Sequence, residues 1–301
     1  MTTNTTRLLR ELDAELEAAG LRGYFLVRDL TTGDEAGIDP DVDVPLASLV
    51  KVPLALTVLD LVDRGELDEC SVLDLQPGRS EAAGPVGVTK FRHPARIALA
   101  DVVYLSTSLS DTAAADVLFD LVPPETVTEY LKSIGIDSLH VRHPLAALGE
   151  TPAEALVRTP ELAHTLAATA GTPGGGHGIW QLDTARANVG TARACADLLA
   201  LVWNEPSPIA APVARRVRQL MRDNVMGQRL RPDFASDAAT WSSKTGTLLN
   251  LRHEMGVVEH EGGGTYAIVA LTASRVPAAV QPAAEATMGR VARKLRDHVR
   301  G

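Results

Sequence analysis

The segments that predict β-strands lie at the two ends of this chain, and helices are predicted between them. Near the start, residues 24–27 and 35–38 have the apolar character of strands and are joined by a turn. Near the end, residues 241–247, 254–259 and 266–272 predict three strands in hairpins. Strands at both ends must pair in one sheet if neither group is to leave exposed edges. The sequence therefore predicts an α/β (α+β) fold with one antiparallel five-stranded sheet.

The helical segments predict two lobes. Apolar residues recur at helical spacing over residues 8–19, and a last helix is predicted over 279–299, so that one helix from each end flanks the sheet. Further helices, rich in Ala and Leu, are predicted over residues 48–65, 99–106, 111–121, 125–134, 191–203 and 211–224. We therefore expect a discontinuous α/β lobe (1–45 and 232–301), an inserted all-helical lobe (46–231) and an active-site cleft between them.

Charge and hydropathy limit the partners of this chain. Its net charge of −9 argues against a nucleic-acid partner. Four arginines predict a solvated helix face rather than a binding patch: Arg215, Arg216, Arg218 and Arg222. The first residues lack the apolar run of a secretory signal, no apolar stretch is long enough to span a bilayer, and Cys70 and Cys195 have no metal-type spacing. The sequence predicts a cytoplasmic protein with neither a membrane nor a nucleic-acid partner, and it leaves the oligomeric state open.

Ser48 stands three residues before Lys51, which is one of only five lysines in the chain. Positions i and i+3 share a face of a helix, so the hydroxyl of Ser48, placed to cap the predicted helix, can meet the Lys51 amine. A serine becomes a nucleophile only with a base beside it. Chance predicts about 0.2 Ser-x-x-Lys motifs and about 0.03 Lys-Thr-Gly motifs, such as residues 244–246, in this composition. A Ser-Asp dipeptide, here Ser110-Asp111, gains meaning only from its place between them.

These three elements, taken in order, resemble the motifs of class A β-lactamases and penicillin-binding proteins. Residues 105–114 resemble the helix of that family that carries Ser-Asp-Asn, and residues 221–227 resemble the segment before its Lys-Thr-Gly strand. The likeness covers residues 8–299 and is weakest over 139–188. It implies a β-lactamase-like fold and a serine hydrolase or acyltransferase that works through an acyl-enzyme.

The resemblance also implies a role for each motif residue. Ser48 is the nucleophile, and Lys51 is its base, which needs a pKa lowered by desolvation and by the charge of Lys244. Ser110 passes a proton to the leaving nitrogen. The chemistry requires no metal and no cofactor.

Substrate binding is implied for the residues around the Lys-Thr-Gly motif. Lys244 and Thr245 bind the anionic end of the substrate, typically a carboxylate, and Gly246 leaves room for it. Backbone N–H groups of Ser48 and Thr247 form the oxyanion hole.

Two further side chains complete the predicted site. Arg252, across the hairpin, either adds positive charge for the substrate carboxylate or is an ordinary hairpin surface residue. Thr112 stands where the family usually has an asparagine, whose amide contacts both the catalytic lysine and the acylamino carbonyl of the substrate. Threonine is shorter and has no NH₂ group, so both contacts change.

The glutamate with which class A enzymes activate water is missing from its expected place, near Pro144 and Leu145. Glu150, Glu154 and Glu161 are near enough in sequence for a rearranged loop, but each also fits an ordinary surface carboxylate. Without a base for water, the acyl-enzyme is expected to persist or to pass to another acceptor.

The region 139–188 is about thirty residues longer than the resemblance implies, which is unusual for a loop. Residues 172–180 are interpreted either as a flap that brings His177 or Trp180 to the substrate or as a surface excursion. Three other histidines show no ligand spacing with a matching carboxylate, so no metal site is predicted: His140, His143 and His164.

Several functions fit these motifs. The leading hypothesis is an enzyme acting on an anionic lactam, amide or ester in specialised metabolism, with weak or no β-lactamase turnover. The alternatives are a genuine class A β-lactamase or D,D-peptidase, and a module that binds or senses β-lactams without turnover. A glutaminase-type enzyme shares Ser-x-x-Lys, but the Lys-Thr-Gly motif speaks against it. The same motifs serve an enzyme and a sensor, so the sequence does not separate them.

Overall fold

The computed structural model describes residues 3–78, 86–152 and 160–301. Within these ranges the strands are β1 (Leu21–Asp29), β2 (Glu35–Ile38), β3 (Val44–Pro45), β4 (Val72–Leu75), β5 (Ala95–Ala98), β6 (Leu139–His140), β7 (Val189–Gly190), β8 (Ala239–Leu248), β9 (Leu251–His260) and β10 (Thr265–Ser274). The α-helices are α1 (Thr3–Ala18), α2 (Lys51–Asp63), α3 (Leu99–Thr107), α4 (Thr112–Leu121), α5 (Pro124–Ser133), α6 (Pro160–Thr169), α7 (Ala192–Trp203), α8 (Ala211–Arg222), α9 (Arg231–Phe234) and α10 (Pro282–Arg300). Short 3-10 helices cover Ala47–Val50, Gly87–Lys90, Leu145–Glu150 and Trp180–Leu182.

The main sheet has five antiparallel strands in the order β2-β1-β10-β9-β8. The N-terminal hairpin pairs with the C-terminal meander through β1 and β10, where Phe25 lies opposite Ala270. This confirms the predicted fold class, a five-stranded antiparallel sheet built from both ends of the chain. The lobe boundaries at residues 45 and 231 stay a prediction.

Both faces of this sheet are buried, because alternate side chains of each strand point to opposite faces. Phe25 and Val27 pack with α1 and α10 in one apolar cluster. Leu26 and Val269 belong to the larger cluster, which continues into the helices between the two strand groups. The sheet therefore stands between a pair of terminal helices and a helical layer.

Helix α2 runs through the middle of the helical layer and is buried over most of its length. A helix with apolar residues on every side is stable only inside a core, which is where Leu54, Leu56 and Val58 lie. The chain enters α2 through the 3-10 helix Ala47–Val50, which contains Ser48. The capping role predicted for Ser48 is wrong, since Val50 is the N-cap residue and no side chain caps the helix.

Several parts of the fold are absent from the sequence prediction. They include the β4–β5 hairpin, the small sheet β3-β7-β6 and the helices α6 and α9. The strands of the small sheet have two residues each, too few for a periodic pattern. In that sheet β6 and β7 pair at the two ends of the long region between them, and β7 pairs with β3, which leads directly to Ser48.

No helix in the described part of the chain combines the length and the apolar character needed to cross a membrane. The cytoplasmic location stays a prediction.

Candidate active site

Two buried lysines meet at Ser110. The Lys51 ammonium donates to the backbone oxygen of Ser110 at 2.5 Å and lies 3.4 Å from its hydroxyl oxygen. The Lys244 ammonium donates to the same hydroxyl oxygen at 2.9 Å and to the backbone oxygen of Thr245 at 2.7 Å. The first residue of α2, the turn before α4 and the edge strand β8 therefore bring three of the predicted site residues into direct contact.

Ser48 lies beside this cluster, in the turn that leads into α2. It is half-buried, and the backbone N–H of Lys51 donates to its carbonyl oxygen. Among the hydrogen bonds of the described residues, none joins the Ser48 hydroxyl to Lys51. Catalytic hydrogen bonds are often long in unliganded sites and tighten when substrate binds. The preceding residue, Ala47, has a φ of +49°, a conformation that costs energy and is concentrated at functional turns.

Burial makes both lysines poor cations. Desolvation lowers the pKa of Lys51 to about 7, although the charges of Asp111 and Asp116 oppose that shift. Desolvation, together with the charges of Lys51 and Arg229, lowers the pKa of Lys244 well below its ordinary value. A lysine whose pKa lies near neutrality is a good general base. The electrostatics therefore give Lys51 the property that a serine-activating base requires.

The turn that carries Ser110 is fixed by the buried carboxylate of Asp111. This carboxylate accepts from the N–H groups of Ala113 and Ala114 as the N-cap of α4, and from the Thr89 hydroxyl at 2.7 Å. Ser110 itself has a φ of +63°, so its backbone is strained. Asp111 was noted in the sequence only as part of a dipeptide, and the structure gives it the scaffolding contacts of the site.

Gly87 shows how closely the neighbouring segment packs against this turn. Its φ is +70°, a region in which side chains are rarely found, and an added Cβ would overlap the Asp111 carboxylate. A side chain at position 87 would therefore displace the carboxylate that supports Ser110.

Strand β8 contributes the residues of the Lys-Thr-Gly motif from the edge of the sheet. Lys244 and Thr245 are buried, and Thr245 lies opposite Glu254 of β9. An added Cβ on Gly246 would lie 2.9 Å from the backbone oxygen of Leu46. A side chain at position 246 would therefore collide with the backbone of the segment that leads to Ser48. The sequence alone did not indicate this requirement for glycine. The substrate roles assigned to these residues stay predictions.

Arg229 is a site residue that sequence reasoning missed. Its guanidinium donates to the Thr247 hydroxyl at 2.7 Å, and to the backbone oxygens of Gly246 and His253. Its side chain is buried and pairs with Glu285 at 2.9 Å. Thr247 is exposed, so this contact brings a cationic donor to the open end of β8. One sequence feature could have identified Arg229: it lies just beyond residues 221–227, the segment that resembles the β-lactamase pattern.

Arg252 has a different set of contacts from the predicted one. Among the described residues, its guanidinium donates only to backbone carbonyls, those of Leu249, Leu251, Ala278 and Ala279. It is also buried, which rules out the alternative of an ordinary surface residue. These contacts join the β8–β9 turn to the segment before α10. The surface interpretation of Arg252 is therefore wrong, and its role toward a substrate carboxylate stays a prediction.

Thr112 keeps one of the two contacts expected at its position. Its hydroxyl oxygen lies 3.5 Å from the Lys51 ammonium, at the limit of a hydrogen bond. As a hydroxyl it accepts from Lys51 without offering the two N–H donors of an amide. Lys51 is thus oriented by Ser110 more than by Thr112.

The loop segment near the expected glutamate position faces α4 with backbone groups. The N–H groups of Leu145 and Ala146 donate to Asp116 at 2.7 and 2.9 Å, and the Leu145 side chain is buried. Glu150 and Glu161 are exposed, whereas Glu154 lies outside the described residues. Within the described residues, no salt bridge or hydrogen bond joins a carboxylate to Lys51.

The long region between β6 and β7 packs on the rim of the site. One apolar cluster joins this region to the β8–β9 turn and to Ala47, the residue before Ser48. Its members are Ala163, Ala167, Ile179 and Leu182 from the long region, together with Ala47, Leu248, Leu249 and Leu251. The long region therefore packs beside the turn that contains Ser48.

The two flap residues make contacts within the long region itself. The His177 ring lies 3.0 Å from the Ala167 carbonyl and accepts the N–H of Ile179. The Trp180 ring packs edge-on against His143. A substrate contact of His177 or Trp180 stays a prediction.

The comparisons with known proteins agree with this geometry. A model of the β-lactamase enzyme family matches residues 7–299. A β-lactamase regulatory protein, BlaB of Streptomyces cacaoi, is 53% identical over 99% of this chain and 99% of its own. The solved β-lactamase of Chitinophaga pinensis has a TM-score of 0.75 at 20% identity, covering 98% and 99% of the two chains. A PBP-A mutant, solved as an acyl-enzyme complex with penicillin G, has a TM-score of 0.73 at 16% identity, covering 97% of each chain.

The chain therefore belongs to the β-lactamase enzyme family, and its fold is that of class A β-lactamases and PBP-A. The resemblance deduced from the sequence motifs is confirmed.

Proposed function

We propose that this protein captures an anionic lactam, or a related amide or ester, as an acyl-enzyme on Ser48 and releases it slowly, so that it senses such molecules. One contrast carries the proposal. The acylating groups are assembled around Lys51, whereas the segment at the usual place of the water-activating base presents Leu145 and backbone N–H groups. The regulatory name of the relative from Streptomyces cacaoi supports a sensing role.

Acylation follows from the charges of the two lysines. Neutral Lys51 takes the proton from the Ser48 hydroxyl, and the oxygen attacks the carbonyl carbon of the ligand. The backbone N–H groups of Ser48 and Thr247 bind the developing oxyanion. Ser110, oriented by Lys244 at 2.9 Å, gives its proton to the leaving nitrogen and regains one from Lys51. The acyl-enzyme then forms with both lysines in their starting charge states.

The anionic group of the ligand is bound at the open end of β8. The Thr247 hydroxyl is exposed and already accepts from Arg229, so it can donate its own proton to a carboxylate there. Arg229 supplies the positive charge at this end, since burial lowers the pKa of Lys244 well below its ordinary value. A penicillin-like molecule, which places a carboxylate near its lactam carbonyl, has the required arrangement of groups.

Slow release is expected because, among the described residues, the usual place of the base for water holds Leu145 and backbone N–H groups. Lys51 is another candidate base, but it is already contacted by Ser110 and Thr112. General bases contribute about 10² to 10⁴ in rate. If only the hydrolytic step lacks this contribution, the acyl-enzyme forms faster than it is hydrolysed, and the covalent adduct accumulates.

Intact-mass spectrometry of the protein with penicillin G, and with a neutral reporter ester, tests the proposal. We expect an adduct of the whole penicillin, located on Ser48. Rapid product formation without an adduct would instead support a β-lactamase or another hydrolase. No adduct and no product would leave acylation by this class of ligand without support.

A further inference from the structure

Asp116 is a carboxylate near the proposed base that no motif predicted. It lies one helical turn after Thr112 on α4, and residues four apart share a helix face. Because the Thr112 hydroxyl lies 3.5 Å from the Lys51 ammonium, this face of α4 is turned toward the base. The charges of Asp116 and Lys51 act on each other across this gap.

The same carboxylate contacts the segment at the missing glutamate position. One of its oxygens accepts the N–H groups of both Leu145 and Ala146, at the start of Leu145–Glu150. The next residue, Ala147, accepts a hydrogen bond from the side chain of Gln181 at 3.0 Å. Asp116 thus contacts the long region from the face of α4 that is turned toward the base.

We propose that Asp116 is a positioning residue that sets the charge state of Lys51 and couples it to the attachment of Leu145–Glu150. The inference rests on the proposed acylation of Ser48. A carboxylate ion stabilises the protonated form of a nearby lysine. Asp116 therefore keeps Lys51 protonated to a higher pH than burial alone would allow, and it delays acylation to that pH.

The charged groups around this pair come from three elements. Lys51 faces Asp111 and Asp116 on α4, and it faces Lys244 on β8. Asp116 faces Lys51 on α2 and Asp120 on its own helix, while the loop offers it only the two backbone N–H groups. Burial raises the pKa of Asp116 to about 6, although the N–H groups and Lys51 oppose this shift. Both partners are charged mainly between pH 6 and pH 7, and they titrate as a coupled pair.

The coupling works in both directions, as any linkage between two equilibria must. The N–H groups of Leu145 and Ala146 stabilise the ionised form of Asp116. If the segment moves away, Asp116 loses these donors and binds a proton more readily. Lys51 then loses its anionic neighbour and becomes a neutral base at lower pH. A contact that displaces the segment would accelerate acylation near neutral pH.

The variant Asp116→Asn separates the charge from the hydrogen bonds, because the amide oxygen still accepts both N–H groups. Asp120→Asn, exposed and one turn further on α4, is the matched control. The rate of Ser48 acylation by penicillin G is measured from pH 5 to pH 9. We expect the midpoint of D116N to fall by about one pH unit, as the loss of a nearby unit charge implies, with the plateau at high pH unchanged. The midpoint of D120N should change by much less than that of D116N, since Asp120 acts on the pair only through Asp116.

Two spectroscopic readouts keep the inference separate from the proposed function. NMR titration of 13C-labelled lysine follows Lys51 directly, and only five lysines contribute signals. We expect D116N to lower the Lys51 midpoint by the same amount. Amide exchange at Leu145 and Ala146, corrected for intrinsic rates, should lose protection below about pH 6 in the wild type and stay constant in D116N.

The outcomes distinguish the two claims. If penicillin does not acylate the wild type, the proposed function fails, but the lysine titration and the amide exchange still test Asp116. If acylation occurs and the Lys51 midpoint is the same in D116N, D120N and the wild type, the role of Asp116 is contradicted. A D116N variant that unfolds at a lower temperature but keeps the wild-type midpoint would make Asp116 structural only.

Discussion

The lysine cluster and the long region between β6 and β7 use their polar groups in opposite ways. In the cluster, Lys51 and Lys244 are buried without a carboxylate contact among the described residues, so their charges remain costly. In the long region, several polar side chains are hydrogen-bonded within the region itself, as the contacts of His177 and Asn188 illustrate, although the buried Nδ1 of His164 has no such partner among the described residues. A buried ammonium group without a carboxylate partner gives up its proton readily, which favours proton transfer. Polar groups that are hydrogen-bonded within their own region instead stabilise the packing of that region. This contrast supports the proposal that the site acylates more readily than it activates water.

The largest expected effect concerns the nucleophile. Ser48→Ala should abolish covalent labelling by penicillin G, because the only hydroxyl in the turn before α2 is removed. Ser133→Ala, at an exposed hydroxyl of α5, is the control and should label like the wild type. Peptide mapping of the adduct checks the result. Labelling that survives in S48A would mean that another side chain is the nucleophile.

The base comes next. Lys51→Ala should slow acylation by about 10² to 10⁴, the usual contribution of a general base. The control is Lys132→Ala, since this lysine is exposed on α5. Single-turnover acylation rates at pH 8 measure the effect. An unchanged rate in K51A would transfer the role of base to another group and remove the contrast between the two regions.

The third prediction compares two buried arginines on the β8–β9 side of the site, Arg229 and Arg252. Arg229→Gln should weaken capture of penicillin G about tenfold to a hundredfold, the range for a hydrogen bond to a charged group, relative to capture of a neutral ester. Arg252→Gln should lower the melting temperature and leave that ratio unchanged, because its donors contact backbone carbonyls. The ratio of the two acylation rates corrects for general damage to the fold. An equal loss for both ligands in R229Q would contradict a role in binding the anion.

The smallest effect is expected at Thr112. Thr112→Asn supplies a longer side chain with two N–H donors, so acylation by penicillins should accelerate by a few-fold at most, within one extra hydrogen bond. The lifetime of the adduct should not change, since no base for water is added. Rapid hydrolysis in T112N would show that the long region is not what slows release.

The sequence predicted the parts of the fold that repeat a pattern. Strands β8 to β10 and helices α4, α7 and α8 have clear periodicity, and each is present close to its predicted bounds. Helix α6 was missed because its buried stripe consists of small residues, Ala163 and Ala167, while Leu162 and Leu166 are exposed. A helix whose large apolar residues do not face the core is difficult to predict from the spacing of those residues.

The sequence predicted the members of the candidate site that belong to recognisable motifs. Lys51, Ser110 and Lys244 are in contact, as their motifs indicated, although they lie far apart in sequence. Arg229 and Asp116 were missed because neither belongs to one of these motifs, and only the fold brings them to Thr247 and Leu145. The buried position of Arg252 was missed as well, since the backbone carbonyls it contacts belong partly to residues before α10.

The lifetime of the Ser48 adduct tests the central claim most directly. The protein is acylated with penicillin G, freed of excess ligand, and followed by intact mass at pH 7. We expect an adduct that decays over hours and is located on the peptide containing Ser48. Release within seconds, or a mass that never increases, would contradict a site that acylates readily and cannot activate water.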